Sequence, residues 1–386
     1  MSERAAVWCL AAAQMLGYAC FFYIFAALIL YWQQGLDWPH WVLAAGPTLA
    51  IAVSAVLAPV CGRAVDRGQA VALLTVGPVV GALALGVLAV WVTPVGYLVA
   101  WAGLGVSQAM CLYDVCFGLL VRRHGAGARE SITKVTLVAG LASTLAFPAG
   151  AWLAGHFGWQ VAVWVGVFVA LGLVLPLQGL AARVVARAVP DEVRDRARLV
   201  LPWRGIVTER AFLRLALLFS LVNLNHWMLM NYLRPMFEGL GLAAAVGVAA
   251  AATVGPAQVV GRLALMGAGG RMGSRFALWV TMAAVVAAPV FLWFSAGLHV
   301  LAFGFAILQG AGMGILTILR PVLVAERLGQ ERYGVTAGLM AIPGLVAMGV
   351  SAPLGAGLLA AGGPEVVIIV AFIIALGAVW AVAADA

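Results

Sequence analysis

The 386-residue chain is 65% hydrophobic and only 9% charged, with 22 Lys and Arg against 14 Asp and Glu and a net charge of +8; its mean hydropathy is +1.08. That is more apolar side chain than a water-soluble fold of this length can cover with polar surface, which excludes a soluble globular protein. The positive balance does not point to nucleic acid, because in so apolar a chain the place of the arginines matters more than their number.

A bilayer core about 30 Å thick takes roughly 20 apolar helical residues per crossing. Such stretches are predicted at 6–31, 41–61, 70–92, 97–120, 133–155, 159–182, 210–236, 243–266, 275–297, 299–324, 333–360 and 364–383, twelve in all. They are long runs of Ala, Leu, Val and Gly, not short alternating segments, so helices and not a β-barrel satisfy the backbone in lipid. The expected fold class is an all-α polytopic membrane protein with twelve transmembrane helices. The first run is longer than a signal core and no A-x-A-like site with a polar sequence follows it, so it reads as a retained span.

With Met1 placed inside, the inner loops hold Arg63 and Arg67, then Arg122, Arg123, Arg129 and Lys134, the cluster Arg183 to Arg210, Arg271 and Arg275, and Arg327 and Arg332. Arg234 is the outer exception. The bias predicts both termini in the cytoplasm. Cys9, Cys20, Cys61, Cys111 and Cys116 fall within or at the edge of spans with no C-x-x-C pair, so no disulfide framework is expected.

The one long polar interruption, "RVVARAVPDEVRDRARLVLPWRGIVTER" from Arg183 to Arg210, separates six spans from six. It predicts an N-terminal six-helix bundle over 1–182, a cytoplasmic linker over 183–209 and a C-terminal bundle over 210–386, a layout common among transporters built from repeats. The halves echo each other. "APVCGRAVD" ends the second span and "PAQVVGRLAL" the eighth, aligning Gly62-Arg63 with Gly261-Arg262, and "LLVRRHG" corresponds to "LVAERLG" at the ends of the fourth and tenth.

Between the second and third spans, "GRAVDRG" places Gly62, Arg63, Asp66, Arg67 and Gly68 in a G-x-x-x-D-R-G pattern. With twelve spans, a central linker and an internal repeat, it resembles the signature loop of the major facilitator superfamily (MFS) over the whole chain. The resemblance implies the MFS fold of two pseudo-symmetric six-helix halves and transport by alternating access. It also implies an aspartate, Asp66, that meets the inner end of a helix in the opposite half and helps hold the outward-facing state, a latch that breaks when two bodies rock apart. Gly62, Arg63, Asp66, Arg67, Gly261 and Arg262 are the gating candidates. The match departs from the family after Gly68, where Gln69-Ala70-Val71 replaces basic residues, and in the second copy, where Leu265 takes the place of Asp66. The same charges also suit a solvated loop that fixes topology.

No catalytic constellation is present: the chain has no G-x-x-x-x-G-K-[ST], H-E-x-x-H or G-x-S-x-G, and no paired carboxylates at acid–base spacing. An enzyme is not expected, which leaves a transporter or a non-transporting receptor. Polar side chains inside spans face a cavity or one another. On the seventh span Asn223, His226, Trp227, Met230 and Arg234 fall within about 100° of arc, and on the first Gln14, Tyr18, Phe21 and Phe25 within about 60°. The resemblance implies that these spans line a central path, making Gln14, Tyr18, Asn223, His226, Trp227 and Met230 the substrate-binding candidates; simple bonding between helices is the alternative. Two charges lie inside spans, Asp114 in the fourth and Arg320 in the tenth. Asp114 is the candidate proton carrier, and Arg320 a candidate anion receptor or the partner of Asp114, with a structural ion pair as the alternative.

"LYDVCFGLL", "LVAGLASTLAFPAG" and "GPAQVVGRL" resemble a bacterial MFS subgroup that includes CcoA-type copper importers and riboflavin transporters. That resemblance implies Cu(I) as an alternative substrate, with His226 and Met230 one turn apart on the seventh span and Met266, but no histidine, on the eighth. The expectation is a monomeric secondary transporter of the bacterial inner membrane, moving a small organic solute with protons, surrounded by lipid, with no cofactor and no nucleic acid.

Overall fold

The computed structural model describes residues 1–189, 203–268 and 272–383. Residues 190–202 of the expected linker, and Arg271, lie outside the described residues. No strand occurs among the described residues. The helices are α1 (Glu3–Phe21), α2 (Ile24–Gly35), α3 (His40–Asp66), α4 (Ala70–Val90), α5 (Pro94–Cys111), α6 (Tyr113–His124), α7 (Ala128–Ala139), α8 (Ala142–Phe157), α9 (Trp159–Val169) and α10 (Leu175–Arg187). They continue with α11 (Trp203–Val207), α12 (Arg210–Asn231), α13 (Leu233–Gly239), α14 (Ala244–Gly267), α15 (Ser274–Phe294), α16 (Leu301–Leu328) and α17 (Tyr333–Ala383).

Among the described residues, 11 runs are long and apolar enough to cross a membrane. The last, α17, is 51 residues long and is two helices merged across Gly362 and Gly363, the latter with φ of +72°. It supplies two crossings, so the chain is the multi-pass helical protein with twelve spans that hydropathy predicts. The turn forms there because glycine adopts positive φ without a Cβ clash and Pro364 suits the first position of the helix that follows.

Several predicted spans are not continuous. The first breaks between Phe21 and Ile24, where the N–H groups of Phe22 and Tyr23 both bond to Tyr18 O at 3.1 and 2.9 Å. The fourth breaks at Leu112, which is extended at φ −90° and ψ −158°. The fifth breaks between α7 and α8, and the sixth carries a π-turn at Ala170–Val174 between α9 and α10. The seventh ends at Asn231 and resumes as α13 after Tyr232. Hydropathy averaged over about 20 residues does not register such breaks, because each occupies only a few positions of the window.

Contacts divide the chain into two compact units, Met1–Pro202 with Gly329–Leu339, and Trp203–Leu328 with Met340–Ala386. The first turns of α17 thus belong with the first unit, whereas the linker position alone divides the chain at 183–209. The cause is a backbone contact: a Cβ on Gly62 of α3 would meet the Gly334 carbonyl, and one on Gly338 would meet the Ala58 carbonyl. The first unit also buries Trp32, Tyr97 and Trp101. Their rings lie 5.7 Å (Trp32–Tyr97) and 5.9 Å (Tyr97–Trp101) apart, and Tyr97 donates its hydroxyl to Leu43 O at 2.8 Å.

In the second unit, Met228, Met236, Phe237, Ala250, Val254, Phe305 and Ile368 form one apolar core. There α14 and α16 meet backbone to backbone, because a Cβ on Gly310 would lie 2.5 Å from Val254 O and one on Gly314 would meet Gln258 O. Gly312, on the same helix, faces α15, where its nearest neighbour would be Val285 at an ordinary 3.4 Å. Gly310→Val is therefore expected to destabilise by about 1–3 kcal/mol through forced separation of the helices. Gly312→Ala is expected to be neutral or to stabilise by up to about 1 kcal/mol through helix propensity. Thermal melts of the two variants in detergent, followed by tryptophan fluorescence, check the contrast.

Candidate substrate and gating sites

In the first unit the chemistry gathers where helices break. Ending α5 at Cys111 frees a carbonyl that the next helical turn would otherwise satisfy, and two glutamine amides take its place. Gln14 Nε2 of α1 donates to Cys111 O at 2.8 Å and Gln178 Nε2 of α10 at 3.0 Å, both side chains fully buried. Gln108 Nε2 of α5 donates in turn to Phe21 O at 2.8 Å, serving the break in the first span. Gln14, expected at a substrate cavity, is instead a 0%-exposed partner of backbone. The amide oxygens of Gln14 and Gln178 have no donor among the described residues.

The interrupted fourth span sets Asp114 in the first turn of the half-helix α6, where unpaired N–H groups favour negative charge. Aromatic rings adjoin it: Tyr18 and Tyr113 have centroids 4.5 Å apart, Tyr113 stacks on Phe117 at 4.7 Å, and Phe22 lies 5.9 Å from Tyr18. Tyr18, Phe22, Tyr113 and Asp114 are all partly exposed. The rest of the expected first-span stripe points elsewhere, with Phe21 fully buried and Phe25 packed against Trp101 at 5.8 Å.

At the end of α3, Asp66 accepts bonds from the N–H groups of Gly334 at 2.7 Å and Val335 at 2.8 Å, the first turn of α17. The Asp66 carbonyl accepts from Arg122 Nη1 at 2.5 Å. Gly62 permits the close approach and Gly68, with φ of +82°, turns the chain into α4. Arg63 and Arg67 are exposed. Nearby, Glu3 pairs with Arg123 at 2.8 Å.

In the second unit the polar face of α12 is drawn into the protein. Asn223 Nδ2 bonds back to Phe219 O at 2.8 Å. His226 is 5% exposed, with its Nδ1 3.4 Å from Gln309 Nε2, which also donates to Asn225 Oδ1 at 3.1 Å. Asn225 Nδ2 donates to Ala371 O at 2.7 Å. Trp227 meets His226 edge-on at 5.7 Å and, like Met230, is partly exposed. Arg234 is not on this face, because the helix breaks at Tyr232; its exposed side chain pairs with Glu238 at 2.7 Å.

Met266 is the next-to-last residue of α14 and is 40% exposed, whereas His226 of α12 is 5% exposed. No group of three or more His, Cys, Asp or Glu that could hold a metal ion occurs among the described residues. Arg262, expected at a gate, is 5% exposed between α14 and α16, bonding Thr317 Oγ1 from Nε at 3.3 Å and Gln258 Oε1 from Nη2 at 3.4 Å. Arg320 follows Thr317 by three residues on the same face of α16 and is partly buried. Sequence reasoning missed Gln108, Gln178, Asn225 and Gln309. Their signal was available, since each is an amide inside an apolar helix.

A family model described as Major Facilitator Superfamily matches residues 130–342, more than half of the chain. No curated protein matches. Among solved structures, the chain is similar to a bacterial homologue of the iron transporter ferroportin in the outward-facing state, with 15% identity, TM-score 0.72, and coverage of 99% of this chain and 98% of that one. The same homologue soaked with iron matches at 16% identity and TM-score 0.73, over 100% and 99% of the two chains. The transporter FucP in its outward conformation matches at 15% identity and TM-score 0.66, over 98% and 99%.

Two donors on one carbonyl make a specific expectation. Gln14→Leu or Gln178→Leu alone leaves Cys111 O bonded and is expected to change stability by less than about 1 kcal/mol, whereas the double variant orphans a buried carbonyl at an additional cost of about 1–3 kcal/mol. Melting temperatures of the four proteins should therefore be non-additive; an additive double variant would show that the two amides act independently.

Proposed function

The chain belongs to the major facilitator superfamily, as a multi-pass membrane transporter and not an enzyme, and from that premise we propose that it is a secondary active carrier of a small organic solute. In this reading the solute crosses a bacterial inner membrane by alternating access, coupled to protons, with both termini cytoplasmic. The observation that carries the reading is Asp114 in the first turn of α6, at an interruption of a membrane span and beside Tyr18 and Tyr113. Irregular backbone inside a membrane is tolerated where it is buried in protein or lines a cavity, and interrupted helices of this kind build transporter sites. A carboxylate there binds a proton reversibly, and the neutral form crosses the occluded state at lower electrostatic cost than the charged one. The rings beside it supply apolar and hydrogen-bonding surface for an organic solute.

Asp66 serves as the latch in this scheme. Its two bonds to the first turn of α17 place a carboxylate at a helix N-terminus, a contact that forms or breaks as a unit when rigid bodies move. The arginines of the inner loops support the orientation. Neither the family match nor the similar solved structures point to copper. What the ferroportin homologue carries remains a property of that protein, since 15% identity conveys the fold alone.

Asp114→Asn is expected to lower uphill, proton-driven uptake in proteoliposomes at least tenfold while leaving solute counterflow within about threefold, because exchange does not need the empty carrier to release a proton. Loss of both modes would assign Asp114 to solute binding, and full retention of proton-driven uptake would remove it from coupling. For the orientation, single cysteines introduced at Gly35 and Gly297 in a cysteine-free background should react with an impermeant maleimide on intact cells, and one at Gln69 only after permeabilisation. The reverse pattern would invert the topology.

A further inference from the structure

The second unit holds a buried cation whose charge no ion pair among the described residues balances. Arg262 is 5% exposed, yet it makes no ion pair among the described residues. Its contacts are with neutral oxygens at 3.3 and 3.4 Å, long beside the roughly 2.7–2.9 Å of charge-assisted bonds to an anion. The Thr317 hydroxyl is already committed as a donor to Gly314 O at 2.7 Å. Nη1 of Arg262 is buried with no acceptor among the described residues. A guanidinium edge is complementary to an anion, which compensates a buried positive charge more fully than neutral oxygens do.

The guanidinium is also held in place. Gly261, the preceding residue, lets α14 touch the Ala311 backbone of α16, and Gly314 lets α16 touch the Gln258 backbone. Arg262 is therefore set on a rigid pair of helices between two glycine contacts, and a second guanidinium, Arg320, lies one turn beyond Thr317 on the face that Arg262 meets. A spare N–H, long bonds to neutral oxygens and a preorganised frame suit an anion, and a guanidinium edge matches the two oxygens of a planar oxyanion.

We propose that Arg262, with Gln258 and Thr317, anchors the anionic group of the transported solute, so that the substrate is a soluble organic anion, a carboxylate or phosphate ester. The inference rests on the transporter reading and names the substrate class. On binding, one oxygen of the anion accepts from Nη1 and the other from Nη2, replacing the weak Gln258 contact.

The test uses the full chain purified in neutral detergent. Thermal melts are recorded with soluble mono- and dicarboxylates and inorganic phosphate, with neutral sugars and amines of similar size, and with the anionic lipid phosphatidylglycerol. A soluble anion is expected to raise the melting temperature of the natural protein. Arg262→Met and Arg262→Gln should abolish that rise, and Arg262→Lys should weaken binding at least tenfold by losing the planar fork. Without ligand, Arg262→Met should melt at or above the natural protein, because an apolar residue relieves an unbalanced buried charge. A lower melting point for ligand-free Arg262→Met with the anion shift intact would make Arg262 structural and overturn the proposal. A shift from phosphatidylglycerol alone would assign the site to a lipid headgroup and overturn it too. Uptake of a neutral or cationic solute with no response to soluble anions would sink the anion class while leaving the transporter reading standing. Absence of any solute flux in sealed vesicles, with anion binding intact, would sink the transporter reading and leave the site.

Discussion

A backbone carbonyl in hydrocarbon has no water to turn to, and this structure is organised around that constraint. Where the first and fourth spans stop being helical, Phe21 O and Cys111 O lose their partners within the helix, and side-chain amides from neighbouring helices stand in. The arrangement is mutual, since the helix that needs Gln14 at its break supplies Gln108 to the break of the other. The glutamines lower the cost of both interruptions, and without the interruptions Asp114 would be an internal residue of a continuous helix. As built, it is at the positive end of a half-helix with Tyr113 and Tyr18 beside it. The site is thus a consequence of how the backbone is satisfied.

Glycine sets the second constraint, the distance between helices. Gly62 and Gly338 bring α3 and the start of α17 into backbone contact, and Gly261, Gly310 and Gly314 do the same for α14 and α16. The aligned pair Gly62 and Gly261 keeps this role in both copies of the repeat, because close approach needs only a missing side chain. The polar partners have diverged. Asp66 receives two backbone N–H groups, while its counterpart Leu265 is 3% exposed apolar packing. Arg63 is exposed to solvent, while its counterpart Arg262 is buried. One unit presents a carboxylate at a helix break and the other a guanidinium between packed helices. Such asymmetry fits a carrier that handles a proton and an anion at different places.

Much of the architecture was legible because it follows from local composition. Apolar runs long enough to cross a bilayer identify the spans, and "GRAVDRG" with its degenerate echo points to the family. The candidate sites were legible only in part. Helical periodicity put Arg234 on the face of His226, but periodicity fails once the helix breaks at Tyr232. It put Gln14 at a cavity, but a glutamine in an apolar helix carries both a donor and an acceptor, and its sequence does not say whether solute or backbone receives them. Met266 suggested a third soft ligand for copper, and burial separates the two: Met266 is 40% exposed at the end of α14, whereas His226 is 5% exposed.

The sequence by itself determined class, span count and family, since each depends on quantities local to the chain: transfer of apolar residues to lipid and a contiguous motif. Tertiary structure alone decided where helices break, which carbonyls the glutamines serve, that Asp66 meets Gly334 and Val335, and that Arg262 is enclosed with an N–H that has no acceptor among the described residues. These are pairings between residues as far apart as 268 or 269 positions in the chain. A hydrogen bond acts over about 3 Å, so which donor finds which acceptor is settled only when packing has fixed every helix against its neighbours.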